Sequence, residues 1–461
     1  MFRFFPLATA VLVLQFSPAM ADDLPTVLKG EGEKVEQDTA ASPERNRLRV
    51  FTEVVSDAAN RIARLSEPQR CRLSEVLNTG IAAAMDGIAS KSRRPSPAPI
   101  CFQDTMGPVQ PLLAEYSRFI QSNEVLSPEQ SRILSAALDD RTQYRRQAAL
   151  EYIASLLDDE LFLTVDQKDQ LTVVLQQNVN LDASCFHPKL HHSAGLTSST
   201  VPVSPQDYPF LTELQQQRLE GLAVESITTG GGFGGSPTLP THVRITTQES
   251  PEEWSQKLRD SFEAQRERLF PVLELPVQYY RTHGLISDGD AHRLRVAAKG
   301  VVDEVLQSWE ARQLSNMTRF RNAAGVRNEV YYLRQIMPDD LENSELWKET
   351  LLSVLPSTSE PVQRRRHAKL SAMSRFATAQ LDQELWLAPE QRERIQESIF
   401  KALLKSDRDV LAPPQFSELN LIAVPLFWLP ESDLAILTQA QQAAVSCVRS
   451  HAGTRLREGI P

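Results

Sequence analysis

One short phrase, repeated along the chain, constrains the fold more than any other feature. It consists of a Leu, a Ser or Thr, two variable positions, a Gln, and an apolar residue eight positions after the Leu. The Ser or Thr of such a phrase caps a helix N-terminus, and the Gln reaches back to the backbone N–H of the cap residue. Each copy therefore predicts the start of a helix. The copies are LSEPQRCRL from Leu65, LSPEQSRIL from Leu126, LTVDQKDQL from Leu163, LTELQQQRL from Leu211 and LTQAQQAAV from Leu437, with degenerate copies ISDGDAHRL from Ile286 and LAPEQRERI from Leu387.

Each full copy assigns three residues to a predicted capping turn. A cap contributes only about 0.5–2 kcal/mol, so these turns determine where helices begin and do not hold the fold together. The leading Leu precedes the cap and is expected to pack beneath the turn. The predicted capping residues are Leu65, Ser66, Gln69, Leu126, Ser127, Gln130, Leu163, Thr164, Gln167, Leu211, Thr212, Gln215, Leu437, Thr438 and Gln441.

The residues that follow each cap have helical periodicity. After Leu163, for example, apolar residues fall at Leu171, Val174, Leu175 and Val179, which form one face of a helix. Alternation of apolar and polar residues, which is typical of strands, is scarce. The copies are also unevenly spaced, which excludes a solenoid of fixed period. The sequence therefore predicts an all-α fold, an irregular array or bundle of amphipathic helical hairpins joined by capping boxes.

Two of these turns match well beyond the cap. DDELFLTVDQKDQL (158–171) and DQELWLAPEQRERI (382–395) share a helix end, an aromatic residue and the following helix. Arg pairs precede both segments, at 145–146 and 365–366. This similarity indicates a diverged internal duplication. It predicts a first helical half over 47–228, a Gly- and Pro-rich linker over 229–250, and a second helical half over 251–461.

The N-terminal residues predict export from the cytoplasm. Residues 1–21 combine one basic residue, Arg3, with a short apolar stretch and small residues at Ala19 and Ala21, as in a cleaved signal peptide. The polar segment 22–46 has no periodicity and predicts a disordered or loosely packed arm. No later segment is long and apolar enough to span a membrane. We therefore expect a soluble periplasmic or extracellular protein without an integral membrane segment after cleavage.

The charge of the chain argues against nucleic acid as a partner. The chain has 49 basic and 59 acidic side chains, for a net charge of −10. Loss of Arg3 with the signal peptide brings the net charge to about −11. Nucleic-acid binding depends on Lys and Arg residues that neutralise phosphates, so an acidic chain is a poor candidate.

Four cysteines and a histidine cluster offer the most reactive side chains. Cys71, Cys101, Cys185 and Cys447 can pair in three ways or stay reduced, and a Cys71–Cys101 bridge across the Pro-rich turn 93–99 is the first pairing to test.

Cys185 also opens the segment CFHPKLHH. Thiolate and imidazole are the natural ligands of zinc and copper, so a metal site is one hypothesis. An ordinary surface loop is the other, because the spacing matches no established metal motif. The metal hypothesis assigns the ligands Cys185, His187, His191 and His192.

Recognisable catalytic motifs are absent from the sequence. There is no Gly-x-Ser-x-Gly and no His-Glu-x-x-His, and the segment GGGFGG lacks the Lys-Ser/Thr ending of a phosphate loop. The sequence therefore predicts no catalytic residue and no bound cofactor other than zinc or copper at 185–192. An enzyme with an unfamiliar motif stays open as an alternative.

The segments LTVDQ, LTELQ and LTQAQ resemble the Leu-Thr-x-x-Gln signature of the Spy/CpxP group of periplasmic helical proteins. The resemblance covers a small fraction of this chain, which is longer than those proteins and has more copies of the motif. It implies an all-helical fold, a possible homodimer, and a role as a chaperone or as an inhibitor of envelope-stress sensors. Metal-responsive relatives share that architecture.

Three functional hypotheses follow from these observations. The first is an exported, non-catalytic helical protein of a bacterial-type cell envelope that binds other proteins, as a chaperone-like module, a scaffold or a sensor partner. The second is a metal-binding or metal-sensing envelope protein that uses the cluster at 185–192. The third is an enzyme of unrecognised type.

Overall fold

A computed structural model describes most of the chain. The described residues are 43–92, 109–122, 124–178, 205–220, 242–246, 249–324, 328–332, 336, 338–355, 359–405 and 429–447. The predicted signal peptide, most of the predicted arm, the cysteines Cys101 and Cys185, and the proposed metal ligands at 185–192 lie outside these residues.

Helices dominate the described part of the chain, and many of them begin at a predicted cap. In chain order, the first half contains α1 (Pro43–Ala63), α2 (Glu67–Ser92), α3 (Val109–Gln121), α4 (Pro128–Leu161), α5 (Val165–Asn178), a short 3-10 helix (Pro205–Asp207) and α6, described over 213–220. Residues 43–46, which the sequence assigned to the arm, are thus already part of α1.

The rest of the described chain contains a longer series of helices and two short strands. Its elements are β1 (His242–Thr246), α7 (Pro251–Arg259), α8 (Phe262–Thr282), α9 (Asp288–Ala324), β2 (Asn328–Tyr332), α10 (Pro338–Glu342), α11 (Glu345–Val354), α12 (Glu360–Leu385), α13 (Pro389–Lys405), α14 (Glu431–Leu434) and α15, described over 439–447.

The all-α prediction is confirmed, with one small addition. Strands β1 and β2 pair antiparallel, with His242 opposite Tyr332 and Thr246 opposite Asn328. Strand β1 lies within the segment predicted to be a linker. Among the described helices, none combines the length and apolar character that a membrane span needs.

Helices α4 and α12 pack against each other and carry the signature of an internal duplication. Tyr152 of α4 stacks on Phe376 of α12, with ring centroids 4.6 Å apart and planes 13° apart. The neighbouring residues Glu151 and Arg375 form an ion pair at 2.7 Å. The two residues of each pair are 224 positions apart in the sequence. The twin phrases at 158 and 382 have the same separation. In a two-fold arrangement, residues on the axis contact their own equivalents, so α4 and α12 are related by a pseudo-two-fold axis.

The buried apolar residues form three clusters, and the largest joins both halves. It contains residues of α1 to α4 together with residues of α12 to α15. A second cluster lies among α7 to α11, and a third lies between the end of α4, α5 and the start of α6. One core therefore draws on both predicted halves, whereas the buried residues of the second cluster lie within the second predicted half and those of the third lie within the first.

Candidate functional site: paired and open capping turns

The repeated phrase forms a capping turn at each of its copies, and we label each turn by its leading residue. At the Leu126 turn, the backbone N–H of Gln130 donates to Ser127 Oγ, and the N–H of Ser127 donates to Gln130 Oε1. The Leu163, Leu211 and Leu437 turns make the same two bonds. At the Leu387 turn, Ala388 has no hydroxyl, and only the bond from its N–H to Gln391 Oε1 is made.

Six of these turns associate as three pairs through their glutamines. In the first pair, Gln69 Nε2 donates to the carbonyl of Val125 at 2.8 Å, and Gln130 Nε2 donates to the carbonyl of Ala63 at 3.2 Å. The two amides also bond to each other at 2.9 Å. Each Gln therefore caps its own helix and holds the turn of the other helix.

The second pair repeats this geometry. Gln167 Nε2 donates to the carbonyl of Phe210 at 3.1 Å, and Gln215 Nε2 donates to the carbonyl of Leu161 at 2.9 Å. The amides of Gln167 and Gln215 bond to each other at 2.8 Å. The Leu163 and Leu211 turns are therefore joined in the same way as the Leu65 and Leu126 turns.

The third pair has the same contacts in a fully buried setting. Gln391 Nε2 donates to the carbonyl of Ile436 and Gln441 Nε2 donates to the carbonyl of Leu385, both at 2.8 Å. The Gln391 and Gln441 amides lie 3.0 Å apart, and Gln441 has no exposed surface. Because a buried amide requires partners for its N–H and C=O groups, the pairing accounts for Gln at this position.

Each pair joins two kinds of turn. One kind places the residue before its leading Leu in the left-handed region, with φ of 48° at Arg64, 51° at Phe162 and 48° at Trp386. Its Gln donates to the carbonyl that immediately precedes the leading residue of the other turn, as at Val125 and Phe210. We call these two kinds the left-handed turn and the acceptor turn.

Two of the left-handed turns are tied to the opposite long helix by a buried Arg–Asp cluster. In the Asp382 cluster, Arg141 Nη2 donates to the Asp382 carbonyl at 2.6 Å, and Arg392 Nε lies 3.3 Å from Asp382 Oδ1. The N–H of Leu387 donates to the same oxygen at 2.8 Å. The Arg141 guanidinium lies over the Trp386 ring, 4.1 Å from its centroid. The cluster thus links α4 to the end of α12.

The Asp158 cluster is its counterpart, with the two helices exchanged. Arg365 of α12 donates to the Asp158 carbonyl and lies 4.1 Å from the centroid of the Phe162 ring. The N–H of Leu163 donates to Asp158 Oδ1 at 3.0 Å, and Lys168 Nζ lies 2.6 Å from Asp158 Oδ2. Asp158, Phe162, Leu163 and Lys168 each lie 224 positions before their equivalents in the Asp382 cluster, whereas Arg365 lies 224 positions after its equivalent, Arg141.

These equivalences correct the sequence comparison of the Arg pairs. The sequence matched residues 145–146 with residues 365–366, whereas the structure matches Arg141 with Arg365. Each of these arginines lies 17 residues before the aspartate of its own helix and contacts the aspartate of the opposite helix. Pairs of Arg recur by chance on charged helices, and only the contact with aspartate identifies the equivalent residues.

Burial alters the ionisation of groups around the Asp382 cluster. Removal from water lowers the pKa of the Arg141 guanidinium to about 10, although the Asp382 carboxylate opposes this shift. Burial also raises the pKa of the Tyr116 hydroxyl, and Arg141 opposes that shift. Tyr116 packs edge-on against Trp386, with ring centroids 5.1 Å apart. Neither group provides an acid or base that titrates near neutral pH, so the cluster is suited to linking helices.

The seventh turn, at Ile286, has no partner turn within the described part of the chain. Asp290 takes the position of Gln, and its N–H donates to Ser287 Oγ at 3.1 Å, so the helix cap is kept. A carboxylate cannot donate as the amide does. No side chain of the described residues donates to the carbonyls of Gly284 and Leu285. We call this the open turn.

A cleft of about 670 Å³ lies beside the open turn, between the end of α8 and the start of α9. Arg281 Nε lies 2.6 Å from Asp288 Oδ1, and Arg295 Nε lies 2.8 Å from Glu274 Oε1. Glu274 is 5% exposed, and its Oε2 is buried without a hydrogen-bond partner in the described structure. The cleft is therefore polar and charged. Its lining residues are Gln278, Arg281, Thr282, Ile286, Asp288 and Arg295.

The structure bears only in part on the predicted metal site and the predicted disulfide. In the residues that the structure covers, His, Cys, Asp and Glu form no group of three or more that is arranged to hold a metal ion. Cys71 is exposed and Cys447 is half-buried, and neither forms a disulfide within the described part of the chain. Metal binding at 185–192 and the Cys71–Cys101 bridge stay predictions.

Comparison of the chain with protein-family models, with curated proteins and with solved structures gave no match. The inference of function therefore depends on the paired turns, the Arg–Asp clusters and the open turn.

Proposed function

We propose that this chain is an exported, non-catalytic helical protein of a bacterial-type cell envelope, and that it binds other proteins. The observation that carries the proposal is the open turn. Six capping turns bind one another through paired glutamines, and the seventh offers the same kind of surface without a partner in the described structure.

The roles of the buried charges support a non-catalytic protein. Asp382 and Asp158 each accept a backbone N–H and face an Arg or Lys, so their carboxylates are engaged in connecting helices. A catalytic acid or base instead needs access to a substrate and a pKa suited to its task. These clusters therefore favour a structural use of the charged residues.

Export is the second part of the proposal and depends on the sequence of residues 1–21. Expression of the full chain in a Gram-negative host should yield a periplasmic product that begins at Asp22, and mass spectrometry of the purified protein would identify its N-terminus. A cytoplasmic product with an intact N-terminus would contradict export.

Protein binding can be tested with the purified mature chain. We expect substoichiometric suppression of the aggregation of a reduced, unfolded client, measured by light scattering, or retention of a defined set of envelope proteins after crosslinking in cells. Failure of the mature protein in both assays would contradict the proposed function.

A further inference from the structure

The geometry points to a specific partner for the open turn: a left-handed capping turn, with Gln at the third helical position, supplied by another protein. This inference rests on the proposed function, because it names the chemistry of the protein that would bind. It follows from how the chain joins its own turns.

The first step is the class of the open turn. In each internal pair, one turn is left-handed at the residue before its leading Leu, and the other is not. At the open turn the residue before Ile286 is Leu285, and the positive φ of 68° occurs one position earlier, at Gly284. At the position that distinguishes the two kinds, the open turn therefore matches the acceptor turns, although Gly284 gives it a left-handed residue that the described residues of those turns lack. The kind of turn that it lacks is a left-handed one.

The second step is the set of groups that the open turn presents. In all three pairs, the Gln of the left-handed turn donates to the carbonyl just before the leading residue of the acceptor turn, at Val125, Phe210 and Ile436. The equivalent carbonyl here belongs to Leu285, which is half-buried, next to the exposed Gly284. Asp290 adds a carboxylate where the other acceptor turns have a Gln amide oxygen. Both groups accept hydrogen bonds, so the partner must donate.

The third step is charge complementarity. The cleft beside the open turn contains Arg281 and Arg295, whose side chains are 50% and 32% exposed. Helices that follow left-handed turns have an acidic residue in their first turn, namely Glu67, Asp166 and Glu390. An acidic first turn on a partner helix would face these arginines, where it would compete with Asp288 and Glu274, while its Gln reaches the Leu285 carbonyl.

The fourth step excludes a second copy as the donor. Each of the three left-handed turns already uses its Gln in an internal pair. A second copy would have to break one of those pairs before it could donate to Leu285. A different protein with an unpaired left-handed turn has no such requirement.

The probe for this inference is a synthetic peptide with the sequence of residues 380–405, which contains the Leu387 turn and α13. The exposed residue Glu397 is replaced by Lys and joined through a lactam to Glu393, so that the peptide is helical before mixing. Binding to the full mature chain is measured by calorimetry, and the site is located by protection of backbone amides from hydrogen exchange.

We expect saturable binding with protection confined to residues 284–295. Replacement of the peptide residue Gln391→Ala, or of the chain residue Asp290→Lys, should weaken binding at least tenfold. Asp290→Asn keeps an oxygen acceptor of the same size and is the matched control, with an expected change below threefold. Because the Asp290 side chain is 33% exposed and its contacts are local, with Ser287 and Arg293, both chain variants should keep the circular dichroism spectrum of the parent chain.

Three results would overturn the inference: no binding of the helical peptide, equal binding by the Gln391→Ala peptide, or protection at residues 437–445 instead. The last would mean that the peptide replaces the chain's own Leu387 turn. None of these results affects the aggregation and crosslinking assays, so failure of this inference is distinct from failure of the proposed function.

Discussion

The Asp158 and Asp382 clusters are built from the same sequence phrase but lie in different surroundings. Both have an aspartate near the end of a long helix, an arginine from the opposite long helix, and an aromatic residue with positive φ. The Asp382 side chain is fully buried, whereas about a tenth of the Asp158 side chain is exposed. The basic side chains beside the two aspartates also differ in exposure, since Arg392 beside Asp382 is 6% exposed and Lys168 beside Asp158 is 38% exposed.

This difference shows how a duplicated element can keep its backbone while its energetics diverge. Trp386 packs against Tyr116 of α3 within the largest core, and Phe162 packs against Tyr279 and Tyr280 of α8. A buried charge that loses its partner is far more destabilising than one that water can still reach. The two clusters should therefore respond unequally to the same substitution.

The largest expected effect is that of Asp382→Ala. This substitution leaves the Arg141 guanidinium buried without its carboxylate and removes the acceptor for the Leu387 N–H. We expect the free energy of unfolding to fall by about 3–5 kcal/mol. Urea denaturation followed by circular dichroism would measure this change.

The equivalent substitution Asp158→Ala is the internal comparison for that experiment. It should lower the free energy of unfolding by only about 1–2 kcal/mol, because water can partly solvate Lys168 and Arg365. Equal losses at the two positions would show that burial does not distinguish the two clusters.

A second prediction concerns the pseudo-two-fold axis, where Tyr152 of one copy faces Phe376 of the other. Burial raises the pKa of the Tyr152 hydroxyl to about 12, so this group ionises more readily in the unfolded chain. Its contribution to stability is therefore complete below pH 10 and is lost as the pH rises from 10 to 12, with a total loss of about 2–3 kcal/mol.

Replacement Tyr152→Phe removes this titration and makes the axis more symmetric. The free energy of unfolding of the variant should fall less steeply between pH 10 and pH 12 than that of the parent chain, measured by urea denaturation at each pH. Parallel pH profiles would mean that Tyr152 is not protected from ionisation in the folded state.

A third prediction compares the buried glutamine pair with the more exposed one. Gln441→Ala removes the donor to the Leu385 carbonyl and the acceptor for the Thr438 N–H in a buried site, so we expect a loss of about 2 kcal/mol. Gln69→Ala acts at a half-buried site and should cost about 1 kcal/mol.

The double variant Gln391→Ala, Gln441→Ala completes the test, because the two amides bond directly to each other. Its loss should differ from the sum of the single losses by at least 0.5 kcal/mol, the order of coupling expected between contacting residues. Additive losses in denaturation experiments would contradict reciprocal pairing.

The smallest expected effect concerns the left-handed residues. Arg64 is exposed and has a φ of 48°, so Arg64→Gly relieves backbone strain without removing a core side chain. We expect a gain of about 0.5 kcal/mol in the free energy of unfolding. Trp386→Gly should instead destabilise the protein, because its ring is buried against Tyr116 and Arg141. A higher urea midpoint for the Trp386→Gly variant would contradict a stabilising role for the buried Trp386 ring.

Local features were predictable because their causes lie within a few residues. Ser127 and Gln130 are three positions apart, so a capping box follows from the sequence around them. The twin phrases likewise predicted a duplication from similarity alone. By contrast, the glutamine pairs join residues 48 to 61 positions apart, and a capping box is complete without a second Gln. No local pattern indicated that Gln69 would contact Gln130.

The sequence by itself determined where the helices that follow the repeated phrase begin, because capping bonds and helical periodicity act over one or two turns. It also established that one stretch of helix, turn and helix was used twice. Only the tertiary structure decided which turns meet, which aspartate is buried, and that the turn at Ile286 is left without a partner in the described chain. These outcomes depend on contacts between residues that are distant in sequence, such as Arg141 and Asp382, and packing of the whole chain selects among them.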